Sequence, residues 1–128
     1  MVLDSSAIVA IEFEEPGFEC LIDKIDEAAA VVIGVPTALE TAMVLSRRRR
    51  RDVRLWLSGF LRSVDAEVVP FTEEHLDAAI DAFVRFGRGR HRAALNFGDC
   101  MSYAIAKVAG MPLLYVGNDF AQTDITPA

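Results

Sequence analysis

Several things are scarce in this sequence, and each scarcity removes a class of protein. The two cysteines, Cys20 and Cys100, lie far apart and lack CxxC spacing. That excludes a disulfide framework and a thiolate zinc site, and fits reduced thiols in a cytoplasmic setting. No apolar run reaches membrane-spanning length, and no basic stretch followed by an apolar one opens the chain, so neither insertion nor secretion is expected. With 2 histidines, no serine–histidine arrangement for nucleophilic hydrolysis is legible. Repeats, low-complexity tracts and linkers are missing too. What remains is 128 residues, 52% hydrophobic and 25% charged, the balance of one compact domain over residues 1–128.

Net charge of −6 would disfavour an anionic partner, but the basic residues are unevenly spread. Of 13, only Lys24 and Lys107 lie outside the stretch from Arg47 to Arg92. Arg47 to Arg51, with Arg54 and Arg62, form one group; Arg85, Arg88, Arg90 and Arg92 form another. Such clusters can hold a phosphate backbone locally.

Hydrophobic periodicity alternates between strand and helix. Met1 to Asp4 reads as a strand, followed by a helix through Ala7, Ile8 and Ile11. Pro16-Gly17 breaks the pattern, and Phe18 to Ile25 resumes it at helical spacing. Ala30 to Ile33 is a buried strand, and Pro36-Thr37 opens a third helix. Val53, Trp56, Leu57, Phe60, Leu61 and Val64 mark one face of a fourth. Glu67 to Phe71 is a strand, and Leu76 to Phe83 a helix. A glycine- and arginine-rich loop, Gly87 to Arg92, leads to a helix through Met101, Ala104, Ile105 and Val108 that Gly110 stops. Pro112 to Val116 is a fourth strand, with a weakly signalled fifth near Ile125. This order predicts an α/β fold: a three-layer α/β/α domain around a parallel sheet of four to five strands, its ligands beyond the carboxyl ends of the strands.

Four acids fall at that edge. Asp4 ends the first strand, Asp119 follows the fourth, Glu40 lies in the opening turn of the helix after the second, and Asp99 opens the helix before the fourth. Each also has a structural role open to it. Asp4 suits a helix cap; Thr37-Ala-Leu-Glu40 and Asn96-Phe-Gly-Asp99 have capping-box spacing; Gly117-Asn118-Asp119 is a turn. Capping and ligand binding are compatible. Carboxylates gathered at one edge repel each other and favour protonation unless a cation compensates. Oxygen-only donors select hard ions, Mg2+ or Mn2+, which support phosphodiester hydrolysis.

The segments MVLDSSAIVA, PTALETAMVL around Glu40, GRGRHRAALNFGDCMSYAIAK around Asp99 and PLLYVGNDF around Asp119 resemble the VapC branch of PIN-domain toxins across essentially the whole chain. The resemblance implies a PIN-like fold and a metal-dependent ribonuclease, the toxin half of a bacterial toxin–antitoxin pair that cuts tRNA or ribosomal RNA. It implies a homodimer silenced by a VapB-type antitoxin in a heterotetramer or larger assembly. It makes Asp4, Glu40, Asp99 and Asp119 the catalytic metal-site acids and Ser6 a support for the first of them; Ser6 reads equally well as a helix cap.

Among the basic residues, Arg88, Arg90, His91 and Arg92 are the candidate phosphate contacts, because their loop leads towards Asp99. Arg47 to Arg51 read first as a solvated helix end. His75 reads as inert, Trp56 and Phe60 as core or dimer interface, and Asp124 as a turn residue ahead of an outer-shell acid. A receiver domain would need a second acid beside Asp4, and a haloacid-dehalogenase-type phosphatase an aspartate where Ser6 stands. A catalytically silent scaffold that binds RNA or protein is the non-enzymatic alternative.

Overall fold

The computed structural model describes residues 1–128. Four strands, β1 (Val2–Leu3), β2 (Val31–Gly34), β3 (Ala66–Val69) and β4 (Leu113–Leu114), form one sheet in the order β3-β2-β1-β4. All its pairings are parallel: Val2 lies opposite Val32 and Leu113, and Ile33 opposite Val68. Six helices accompany them: α1 (Ser5–Glu12), α2 (Phe18–Asp26), α3 (Val35–Arg49), α4 (Arg54–Ser63), α5 (Glu73–Phe86) and α6 (Phe97–Ala109). The expected fifth strand is reduced to a single bridge between Leu113 and Pro127, with Ala128 N–H donating to the Leu113 carbonyl.

The two faces follow from strand alternation, which sends neighbouring side chains to opposite sides. Val2, Val32 and Leu113 point to a core shared with Ala79, Ala82 and Phe86 of α5 and Cys100, Tyr103 and Ile105 of α6. Leu3, Ile33 and Leu114 point the other way, against Ala7 and Ile8 of α1, Ile25 of α2 and Leu57 and Leu61 of α4. Both faces being covered explains why β1, β2 and β4 are buried apolar runs rather than alternating ones, whereas the edge strand β3 carries exposed Glu67.

At the carboxyl edge, β2 passes into α3 with no loop. Pro36 sits in the first turn of α3, where its missing N–H costs nothing. Gly34 makes the junction possible, because a Cβ there would lie 2.7 Å from Ile105 Cγ1 of α6. No helix is long and apolar enough to cross a membrane.

Candidate active site

Asp4 is the only acidic side chain buried in the chain, at 3% exposure. It caps α1, accepting from Ser6 N–H at 2.9 Å and from the Ser6 hydroxyl at 2.5 Å. The same hydroxyl accepts from Val116 N–H at 3.0 Å, just beyond β4. Ser6 therefore ties Asp4 to the chain that leads to Asp119. Of the two roles open to Ser6, the side chain supports the first aspartate.

Glu40 is not a capping residue. Its helix starts at Val35 with Gly34 as cap, so the Thr37–Glu40 spacing closes no capping box, and Glu40 stands in the second turn. Thr37 is buried instead, its hydroxyl 3.1 Å from the Ser102 hydroxyl of α6, and its carbonyl accepts from the Thr41 hydroxyl at 2.8 Å. That buried pair fastens α3 to α6 one turn from Glu40 and from Asp99. The Glu40 carboxylate rests against Gly98, where an added Cβ would fall 2.3 Å from Oε1. Burial, then the nearby Asp4 charge, raises the Glu40 pKa; the Ser5 hydroxyl partly opposes this.

Asp99 does close the capping box read from the sequence. It accepts from Asn96 N–H at 2.7 Å, and Asn96 Oδ1 accepts from Asp99 N–H at 3.1 Å. Burial pushes its pKa up; the Asn96 N–H opposes that, and the charges of Asp4, Asp119 and Glu40 add to it, leaving it at about 6. Asp119 is exposed and precedes a 3-10 turn, Phe120–Gln122, with Gly117 at φ 106° admitting the bend. The four carboxylates thus share one edge and one another's field. They do not close into a cage: no three of the chain's His, Cys, Asp and Glu side chains stand ready to enclose an ion.

A model of the PIN domain matches residues 1–125. The chain belongs to the PIN-domain family. Within it, the ribonuclease VapC36 of Mycobacterium tuberculosis is 43% identical over 126 residues, covering 98% of this chain and 91% of that protein. A ribonuclease VapC of Mycolicibacterium smegmatis is 43% identical over 132 residues, covering 98% and 97%. The PIN fold recurs in the crystal structure of Mycobacterium tuberculosis VapC20, a sarcin–ricin loop cleaving toxin, at a TM-score of 0.78 and 16% identity over 99% of this chain and 97% of that one. It recurs again in a toxin–antitoxin complex from Klebsiella pneumoniae, at a TM-score of 0.71, 14% identity and the same coverage of 99% and 97%. PIN membership in the VapC branch displaces the receiver and phosphatase readings.

Several side chains of this PIN domain have roles that the sequence hid. His91 Nδ1 accepts from Ala93 N–H at 3.1 Å, and its ring meets Phe86 edge-on, so the imidazole is engaged in shaping its own loop. Arg90 lies over the Phe83 ring, while Arg88 and Arg92 are exposed. Asp124 is no mere turn residue. It accepts from the Tyr103 hydroxyl at 2.7 Å, Arg85 at 3.0 Å and Lys107 at 3.2 Å. Burial would raise its pKa, but these donors outweigh that and hold it at about 2. His75 completes the cap of α5 with Thr72, and Trp56 stacks on Phe60 at 5.4 Å. No local pattern marks Gly98 or the Thr37–Ser102 pair; a glycine inside the first turn of a helix beside an acid is the only signal the sequence carries.

Proposed function

We propose that this VapC-branch protein is a divalent-metal-dependent endoribonuclease acting through Asp4, Glu40, Asp99 and Asp119. The carrying observation is the Asp99 carboxyl, held at about 6 by burial and by three neighbouring carboxylates. Uncompensated negative charge of this kind favours a cation, and the donors are all oxygen. Their open arrangement suits an ion that keeps much of its water and takes only one or two carboxylates directly, as Mg2+ does. When bound, such an ion neutralises phosphate charge and lowers the barrier to attack by water. The chain's own part is to hold these oxygens in register through Ser6, Gly98 and the Thr37–Ser102 bond. In the hydrolysis, water adds to phosphorus while a carboxylate of the set accepts its proton, the bond to the leaving ribose oxygen breaks, and that oxygen takes up a proton from solvent and departs as a hydroxyl.

Residues 1–128 act as one unit in this reading, with structured RNA (tRNA or ribosomal RNA) as substrate and a VapB-type antitoxin as the silencing partner. Pairing with a second copy is supported by the exposed apolar stripe of Leu76, Ile80, Phe83 and Val84 on α5. Arg88 and Arg92 serve as phosphate contacts. Purified Asp4→Ala and Asp99→Ala proteins, with folding checked by circular dichroism, should lose cleavage of total RNA in Mg2+ or Mn2+. Undiminished cleavage by both, or cleavage by the wild type indifferent to chelator, would overturn the assignment.

A further inference from the structure

The arginines at the end of α3 do not act as one cluster. Arg48 pairs with Glu15 and Arg49 with Glu12 of α1, and both guanidinium groups lie over the Phe13 ring. Arg47 belongs to none of the chain's ion pairs. It is exposed and lines one end of a groove of about 470 Å³ between α3 and the start of α6. That volume lies in the roughly 300–1,000 Å³ range of small-molecule pockets.

Leu39, Met43 and Phe97 line this groove at 61%, 64% and 79% exposure. Phe97 is the first residue of α6, directly after the cap that fixes Asn96 to Asp99, so its ring projects from a set backbone. Glu40 and Gly98 line the groove as well as the acidic edge. An apolar trough therefore starts at the acids and ends two helical turns away, about 10 Å along α3, at an unpaired cation.

We infer that this groove is the seat of an unpaired nucleobase flanking the scissile phosphate, stacked on Phe97 and Met43, with the next phosphate on Arg47. The inference rests on the ribonuclease reading above. Charge favours one occupant: an apolar partner face offers Arg47 no counter-charge, whereas a nucleotide presents a flat apolar ring and an anion at one spacing. Stacking platforms of this kind bind single strands with little dependence on base identity.

The test is fluorescence anisotropy in chelator with single-stranded oligoribonucleotides of about eight nucleotides, a length chosen to cover one binding groove. One set carries every base; a second lacks the base at each position in turn. Phe97→Ala should weaken binding of the intact RNA about ten-fold or more, and Phe97→Trp should restore it. At one position, removing the base should cost the wild type as much and the Phe97→Ala protein almost nothing. Arg47→Gln should lower the slope of log affinity against log salt by about 0.7. Equal affinities for wild type and Phe97→Ala would overturn the inference. A shift of Phe97→Ala towards monomer with unchanged RNA affinity would overturn it too, and assign the face to a second copy. Asp99→Asn separates this from the ribonuclease reading: cleavage is lost, while the base dependence of binding persists.

Discussion

Replacing Asp99 with asparagine should stabilise the metal-free protein at neutral pH. The pKa rise from 3.8 to about 6 is roughly two units, or about 3 kcal/mol of unfavourable ionisation at about 1.4 kcal/mol per unit. Asp99 is only half-buried, and solvent screening brings the recoverable part to about 1 kcal/mol. Asparagine keeps an acceptor for the Asn96 N–H, so the cap of α6 survives. In a chain of this size the gain amounts to about 3–5 °C in Tm. The sign fixes a pH signature. An acid with a raised native pKa binds its proton more tightly when folded, so the Asp99 contribution to stability is most favourable below the unfolded value of 3.8 and is lost as pH rises through about 6. Thermal unfolding in chelator should therefore show the variant ahead at about pH 7.5 and the gap closing by about pH 4. Added Mn2+ should raise the wild type and leave the variant nearly unmoved. An advantage equal at both pH values, or none at neutral pH, would refute the idea that burying the Asp99 charge beside three other carboxylates strains the folded state.

Two further outcomes follow from the same geometry. Gly98→Ala brings a Cβ to 2.3 Å from Glu40 Oε1, and that carboxylate can swing away. Tm should hold or rise slightly, since alanine favours helix by up to about 1 kcal/mol. Cleavage should nonetheless drop about 10- to 100-fold because Glu40 is displaced; full activity would show that its resting place is immaterial. Tyr103→Phe removes the shortest bond to Asp124, whose side chain is 37% exposed, and should cost about 1 kcal/mol in chemical denaturation. Asp124 has a depressed pKa, so this difference should be present above about pH 4 and fade towards about 2; a pH-independent difference would point to packing instead.

The sequence by itself determined the fold class, because the period of the apolar residues and the turn residues between them are local properties. Val31 to Ile33 and the face of α4 are legible without knowing any partner. It also determined which acids lie at the carboxyl edge, since strand direction and helix order place chain ends, and the Asn96–Asp99 box follows from spacing along one helix. What the tertiary structure alone decided are relations between elements. The same motif spacing that made a box at Asn96 fails at Thr37, because β2 runs straight into α3 and Thr37 turns to Ser102 across the core. Arg47 parted from Arg48 and Arg49 because Glu12 at the end of α1 and Glu15 just beyond it pair with only those two. Asp124 gained three donors from α5 and α6 that no local pattern announces. Local periodicity chooses elements; the partner that each of these polar side chains meets, 17 to 65 residues away in the chain, depends on how those elements pack.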